Sequence, residues 1–318
     1  MDINLITGSS PHIRNGVNTP RIMLDVIIAL TPAAVAAIYF FKWQAFLLLL
    51  VTIVTCMISE YVWTKLVKKE NTLKDLSAIV TGILLAFNLS PCVPLWVAAI
   101  GGVFAIIIAK QLFGGLGHNF INPALAARAF LMASWPVWMT SWKATGIDAA
   151  SSATPLALIK KGAEVSGQLP SLTNLFIGNV GGCIGETSAL ALLIGAVYLL
   201  ARKVITLEIP MAFIGTVAIV TWIFGGTRWF SGNFSYHILA GGLMLGAFFM
   251  ATDYTTSPVT SMGKLIMGCG CGLLTSVIRL YGGYPEGVSY AILLMNLTVP
   301  LIDKLILPKS FGGTIKNA

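Results

Sequence analysis

Ten apolar stretches, joined by short polar turns, run through almost the whole chain. They fall near residues 22–41, 45–63, 76–90, 93–109, 119–139, 187–201, 204–224, 236–252, 265–281 and 288–307. Hydrophobic residues make up 56% of the sequence and charged residues only 10%, a balance typical of polytopic membrane proteins. Several stretches are shorter than the roughly 20 residues of a full helical crossing. The pattern therefore predicts an all-α protein with about ten transmembrane helices, some of them broken.

The basic residues indicate how these helices are oriented. Loops on the cytoplasmic side of a membrane carry an excess of Lys and Arg. Starting from a cytoplasmic N-terminus, alternate connections hold most of them: Arg14, Arg21, Lys65, Lys68, Lys69, Lys74, Arg202, Lys203, Lys264, Lys304, Lys309 and Lys316. We expect a multi-pass protein of the cell membrane, in contact with lipid, with both termini in the cytoplasm. The net charge of +8 then reports orientation and not affinity for nucleic acid.

The two halves of the chain resemble each other weakly. The segment 81–86 is similar to 241–246, and each half later contains an aromatic residue followed by two glycines, at Phe113 and at Tyr281. Halves of five helices each enter the membrane from opposite sides, and inverted repeats place binding sites at broken helices. We expect a cytoplasmic N-terminus (1–21), a first five-helix repeat (22–139), an extracytoplasmic segment (140–186), a second repeat (187–307) and a cytoplasmic tail (308–318).

Polar side chains near the predicted fifth helix are candidates for ligand binding. His118, Asn119 and Asn122 precede it, where free backbone amides attract an anion or a ring carbonyl; simple capping of the helix is the alternative. Arg128 lies one to two turns further in. An arginine inside a membrane helix is costly and usually pairs with an acid or binds a polar ligand.

Acidic and hydroxyl residues mark further candidates. Glu186, Thr187 and Ser188 precede the predicted sixth helix, where a negative charge is favoured by the helix dipole and capping is again the alternative. Asp253 ends the eighth stretch among hydroxyl side chains, which suits Na⁺ or a proton relay. Asp25 and Asp75 are lesser candidates for an ion path. We assign no residue a catalytic or metal-binding role, since the cysteines lack metal-site spacing and soluble-enzyme motifs are absent.

The extracytoplasmic segment contains a run of small and hydroxyl residues. It reads Asp148, two alanines, Ser151, Ser152, Ala153 and Thr154. Small neighbours leave room for another molecule to reach the Thr154 hydroxyl, whereas a plain connecting turn is the alternative.

These motifs, taken in order, resemble one family over about residues 20–306. The ordered set is Phe113-Gly-Gly, Gly117-His118-Asn119, Asn122-Pro-Ala, the run from Asp148 to Thr154, Gly185-Glu-Thr-Ser, Ala251-Thr-Asp and Pro285-Glu-Gly. The family is shared by RnfD of the Rnf complex and NqrB of the Na⁺-translocating NADH:quinone reductase. The short N-terminus and compact loops are more similar to RnfD.

The resemblance implies a covalent cofactor. In that family the threonine of an Asp-x-x-Ser-Gly-Ala-Thr motif carries FMN through a phosphoester that a separate flavin transferase makes. By motif match the acceptor here is Thr154, and Asp148, Ser151, Ser152 and Ala153 belong to the recognition sequence, with Ser152 where the family usually has Gly. Polar residues from His118 to Arg128 and from Glu186 to Ser188 would hold the ring. The resemblance also implies a second, non-covalently bound flavin, riboflavin, inside the membrane.

The resemblance further implies an activity and partners. It predicts a membrane protein that relays electrons between ferredoxin and NAD⁺ within a larger translocase and is coupled to export of Na⁺ or H⁺. The partners would be the other Rnf proteins, including a second one with covalent FMN, and the transferase. A cofactor-free channel or secondary transporter of the urea or ammonium type explains the broken helices equally well, but not the 148–154 run. A structural scaffold is the third possibility, and it predicts no flavin.

Overall fold

The computed structural model describes residues 18–68, 72–142, 154–160, 169–226 and 228–306, and these contain helices but no β-strand. The predicted all-α fold class is therefore confirmed. Asp148, Ser151, Ser152 and Ala153 lie outside the described residues. Residues 1–17 of the predicted N-terminal segment and the whole predicted tail, 308–318, lie outside them too.

The first helix, α1 (Thr19–Leu66), contains the first two predicted crossings. Asn18 caps its start by accepting a hydrogen bond from the Arg21 amide at 3.2 Å. The helix is broken at Lys42, whose φ of 53° and ψ of −133° are not helical. The break falls in the predicted gap between the stretches 22–41 and 45–63, so the two halves match those stretches.

The other helices follow in chain order. Most of them agree in position with the remaining stretches, and two short ones lie in the predicted segment 140–186. They are α2 (Ser77–Phe87), α3 (Leu95–Val103), α4 (Pro123–Ser134), α5 (Pro136–Met139), α6 (Pro155–Lys160), α7 (Leu172–Ile177), α8 (Ala189–Ala201), α9 (Glu208–Phe224), α10 (Phe234–Leu239), α11 (Leu243–Leu245), α12 (Ser261–Tyr281) and α13 (Val288–Leu305). Wide π-helical turns, Phe104–Ile108 and Gly246–Met250, extend α3 and α11. The fifth stretch was predicted from 119, but its helix begins at Pro123.

Four helical segments in the described part of the chain are long and apolar enough to cross a membrane: Thr19–Leu66, Leu95–Phe113, Ser261–Tyr281 and Val288–Leu305. Shorter apolar helices accompany them: Ser77–Phe87, Pro123–Ser134, Ala189–Ala201 and Glu208–Phe224. The chain is thus a multi-pass membrane protein. The count of ten crossings, the two inverted repeats and the orientation stay predictions.

Small residues let the long helices approach one another closely. A Cβ on Gly82 of α2 would lie 2.7 Å from the Ile53 Cα of α1, and one on Gly268 of α12 would lie 2.8 Å from the Ile209 carbonyl oxygen of α9. Without water to drive association, such close packing is the main attraction between helices in a bilayer. The core formed this way holds α2, α4, α8 and α13 in one apolar cluster with α1.

The predicted eighth stretch is a broken helix. α10 ends at Leu239 and α11 begins at Leu243, so residues 240–242 leave the helical path. Gly241 has φ +73°, a conformation that residues with a side chain rarely adopt. A second interruption, residues 88–94, separates α2 from α3. Irregular backbone at this depth is tolerated where it is buried in protein or lines a cavity.

Candidate functional site

Thr154 lies at the edge of a cavity of about 390 Å³, which we call the threonine cavity. Its wall carries the aromatic side chains of Trp142, Tyr284 and Tyr290, and its polar surface carries Arg128, Glu186 and Glu286. The volume falls within the roughly 300–1,000 Å³ of ordinary small-molecule sites. A planar aromatic ligand therefore has both room and matching surfaces beside the Thr154 hydroxyl.

The short helix α6 holds Thr154 against this cavity. The Thr154 carbonyl oxygen accepts from the Leu158 amide at 3.0 Å, and its hydroxyl oxygen accepts from the Ala157 amide at 3.3 Å. At the far end of α6, the Lys160 ammonium donates to the carbonyl oxygens of Gly282 and Tyr284. Thr154 is thus followed by an anchored helix.

Arg128 is the centre of a buried polar network in the wall of the threonine cavity. Its guanidinium contacts two carboxylates, Glu286 Oε2 at 2.6 Å and Glu186 Oε1 at 3.3 Å. It also donates to Asn88 Oδ1 at 2.8 Å, Ser289 Oγ at 2.9 Å and Cys183 Sγ at 3.6 Å. The side chains of Arg128 and Glu186 are 7% and 5% exposed, and that of Glu286 is 18% exposed. The predicted pairing of Arg128 with an acid is present, and Glu186 is one of two partners.

A second arginine and Glu286 bracket the break between α10 and α11. Arg279 is buried and donates to the carbonyl oxygens of His237 and Ala240, at the end of α10. Glu286 Oε1 accepts from the Gly242 amide at 2.6 Å, at the start of α11. Together with Arg128 and Glu186 these make two positive and two negative charges. The network can therefore be neutral as a whole, and each half-helix end has a charged partner.

Three side chains of this network have the spacing of a metal site. The Cys183 sulfur and one carboxylate oxygen each of Glu186 and Glu286 lie within 4.8 Å of one another. Arg128 contacts all three of them, so a guanidinium already supplies the positive charge that a metal ion would bring. The arrangement favours an anchored arginine over a metal ion.

A smaller cavity of about 80 Å³, the aspartate cavity, has Asp253 in its wall together with Asn119, Asn122, Lys110 and Thr255. Asp253 Oδ2 accepts from Thr255 Oγ1 at 2.9 Å and from Thr256 Oγ1 at 3.3 Å. Asn119 donates to Thr255 Oγ1 at 3.0 Å, and no group in the described part of the chain donates to its buried Oδ1. One such oxygen in the same cavity as a carboxylate suits a hard cation.

Glu60 and Lys110 form a buried ion pair that the sequence analysis missed. Lys110 Nζ lies 3.1 Å from Glu60 Oε2 and 2.6 Å from Ser77 Oγ, and the two charged side chains are 2% and 0% exposed. Thr72 and Gln111 donate to Glu60 Oε1 at 2.6 and 3.0 Å. An acid inside an apolar stretch is itself a signal, because membrane helices keep charges only for a partner or a function. Applied to Glu60, that rule would have singled out the acid, although not its partner.

The remaining predicted residues divide between the cavities and structural roles. Thr187 lines the threonine cavity with Glu186, whereas Ser188 caps α8 by accepting from the Ala191 amide at 3.3 Å. Asn122 caps α4 and lies at the aspartate cavity with Asn119, so the structure does not bring these two together with Thr154. His118 lines neither cavity.

The two lesser acids have hydrogen-bonded partners. Asp75 accepts from Ser77, which links it to Lys110. Asp25 is bonded to Tyr198 at 2.9 Å and to Arg202 at 3.2 Å and joins α1 to α8. Asp75 is therefore connected to the aspartate cavity through Ser77, and Asp25 has its charge compensated by Arg202.

Two helical segments connect the cavities. α4 begins beside the aspartate cavity at Pro123 and brings Arg128 to the threonine cavity. The segment 242–253 starts beside Glu286 and ends at Asp253. Asn122 Nδ2 donates to the Met250 carbonyl oxygen at 3.4 Å, which ties the start of α4 to this segment.

Comparison with known proteins identifies the family. The model of the NQR2, RnfD, RnfE family matches residues 6–312, nearly the whole chain. The chain belongs to this family. It is 51% identical over 316 residues to RnfD of Acetobacterium woodii, from a complex named Na(+)-translocating ferredoxin:NAD(+) oxidoreductase, and the match covers 98% of this chain and 97% of that one.

Two further relatives carry related names. The chain is 47% identical to the corresponding protein of Clostridium ljungdahlii, from a complex named proton-translocating ferredoxin:NAD(+) oxidoreductase, with 97% of each chain covered. It is 38% identical to the corresponding protein of an ion-translocating oxidoreductase complex from an Escherichia coli strain, covering 96% of this chain and 97% of that one. The family expected from the ordered motifs is thereby confirmed.

Proposed function

We propose that this chain is the RnfD component of a membrane complex that passes electrons between ferredoxin and NAD⁺ and exports Na⁺ or H⁺. We propose further that it carries FMN as a phosphoester on Thr154. Relatives with 51% and 47% identity are named as components of such complexes, one translocating Na⁺ and the other protons. The observation that carries the cofactor proposal is the position of the Thr154 hydroxyl beside a ring-sized cavity.

The residues at the threonine cavity fit a flavin. Aromatic side chains at Trp142, Tyr284 and Tyr290 offer stacking surfaces for a planar ring. The Arg128 guanidinium supplies positive charge where a reduced ring would be negative. An ester to Thr154 would also fix the phosphate by a covalent bond, so no glycine-rich phosphate loop is needed.

When bound, FMN supplies the one-electron chemistry, and the chain supplies position and electrostatics. α6, held through Lys160, would keep the ester at the rim of the cavity. Arg128, compensated by Glu186 and Glu286, would set the electrostatic potential at the ring without leaving an unpaired charge in the membrane. The sites for ferredoxin and NAD⁺ would belong to other proteins of the complex.

For ion export we propose Asp253 as the first contact, before Asp75 and Asp25. Asp253 stands in the aspartate cavity beside the hydroxyl of Thr255 and the Asn119 amide oxygen, to which no described residue donates. These are the hard oxygen ligands that Na⁺ prefers. Asp25 is already paired with Arg202, which leaves it less available.

The test is covalent flavin on the purified chain. The chain is expressed with a flavin transferase, denatured, run on a gel and examined under ultraviolet light, and the peptide that contains Thr154 is weighed by mass spectrometry. We expect fluorescence in the wild type and in the control Thr140→Ala, a threonine that lines the same cavity, but none in Thr154→Ala. A wild-type peptide without added mass would leave the channel or the scaffold as the better explanation.

A further inference from the structure

Glu286 is the one carboxylate in the described residues that joins the arginine of the threonine cavity to the backbone of the broken helix. Its Oε2 lies 2.6 Å from Arg128 Nη2, and its Oε1 accepts from the Gly242 amide at 2.6 Å. Glu186 also contacts Arg128, but it accepts no hydrogen bond from Gly242. The two acids thus have the same charge and the same arginine, and they differ in their link to the backbone.

The two glycines of the break make this contact possible. A Cβ on Gly241 would lie 2.7 Å from Glu286 Oε1, and a Cβ on Gly242 would lie 2.8 Å from Glu186 Oε1. A side chain at Gly241 would displace the Glu286 carboxylate from the Gly242 amide, and one at Gly242 would displace the Glu186 carboxylate beside it. The close approach is therefore built into the sequence at the point where α10 gives way to α11.

The segment that begins at Gly242 leads directly to the aspartate cavity. Asp253 lies eleven positions after Gly242, which corresponds to roughly 16 Å along the axis at the rise of an α-helix. The segment includes the wide turn Gly246–Met250, and such π-turns inside helices frequently occur at functional sites. A change at Glu286 can therefore reach the wall of the second cavity through one short, continuous piece of backbone.

We propose that Glu286 is a positioning residue that makes the segment 242–253 respond to the charge in the threonine cavity. The inference rests on the proposed function for the source of that charge, an electron arriving on a group held in the cavity. Added negative charge attracts Arg128 and weakens its hold on Glu286, which then binds the Gly242 amide differently. The start of α11, and with it the aspartate cavity, thereby adjusts to the redox state.

The mechanical link can be tested without a cofactor, by hydrogen exchange of peptides covering 242–253 in the full chain. Glu286→Gln keeps an oxygen for the Gly242 amide but removes the ion pair with Arg128. We expect this variant and Arg128→Gln each to speed exchange in the segment. If the two effects were independent, the double variant would speed exchange by the product of the two fold-changes. We expect its fold-change to be smaller than that product by at least about twofold, the low end of couplings within one network. Glu186→Gln is the matched comparison: it removes a charge from the same arginine but no hydrogen bond from Gly242, so it should change exchange less than Glu286→Gln does.

The redox response is tested on the flavin-bearing complex. In the wild type and in Glu186→Gln, exchange in 242–253 should differ between the oxidised and the reduced complex. In Glu286→Gln this difference should vanish. Thr154→Ala separates the two proposals, because it should lose the redox response and keep the mutational coupling. Additive effects of Arg128→Gln and Glu286→Gln, or equal effects of Glu186→Gln and Glu286→Gln, would overturn the role of Glu286 whatever the cofactor.

Discussion

Replacing Lys110 by Met should destabilise the chain strongly, because it leaves the Glu60 carboxylate buried without its counter-charge. Glu60 is 0% exposed, and Lys110 Nζ contacts both of its oxygens at 3.1 and 3.2 Å. Removing one partner of such a pair costs about 3–5 kcal/mol. At about 2 °C per kcal/mol for a chain of this size, that is a fall of roughly 6–10 °C in melting temperature.

A matched exposed pair supplies the control. Lys264 and Glu208 lie 3.5 Å apart with side chains 23% and 30% exposed, and exposed pairs contribute only about 0–1 kcal/mol. Lys264→Met should therefore lower the melting temperature by no more than about 2 °C. The assay is thermal unfolding in detergent, followed by the reactivity of buried cysteines.

A double variant decides whether charge is the cause. Glu60→Gln combined with Lys110→Met removes both charges, and the Gln oxygen can still accept from Thr72 and Gln111. We expect it to recover at least half of the loss. If Lys110→Met is no worse than Lys264→Met, or if the double variant is as unstable as the single one, the buried ion pair is not what stabilises this region.

Two further outcomes can be measured on the same preparations. Gly82→Ala should destabilise the chain by about 1–3 kcal/mol, because its Cβ would meet the Ile53 backbone at 2.7 Å. Gly215→Ala, with open space around its Cβ, should be neutral or stabilising in thermal unfolding. Asp253→Asn should retain fluorescent flavin on a denaturing gel but lower the Na⁺ or H⁺ accumulated in vesicles per NAD⁺ reduced; unchanged accumulation would contradict a role in ion export.

The helical framework followed from the sequence because apolar stretches of this length have few alternatives in a bilayer. The gap at Lys42 fell between two predicted stretches, whereas the break before Leu243 fell inside the stretch predicted over 236–252, at two glycines. Capping by Ser188 and Asn122 was open to the same local reasoning, since a cap depends on residues two or three positions away.

The partners of buried charges could not be obtained in this way. Lys110 reaches Glu60 across 50 residues, and Arg128 reaches Glu286 across 158. Such pairs depend on which helix faces are packed together, which periodicity in a single sequence does not determine. The same limit explains why Asn119, close to Arg128 along the chain, lies at a different cavity from Thr154.

The wide turn Gly246–Met250 has a consequence for chain length. A π-turn holds one residue more than an ordinary helical turn, so deleting one residue there would leave a regular helix that still satisfies its backbone. The side chains beyond the deletion would keep nearly the same rotation around the axis, because five residues of a π-turn cover about the angle that four residues of an α-helix cover. Asp253 would then still face its cavity, whereas a deletion in a regular helix would turn every later side chain by about 100°. The turn can therefore lose its extra residue more easily than it can change the buried side chains that fill it.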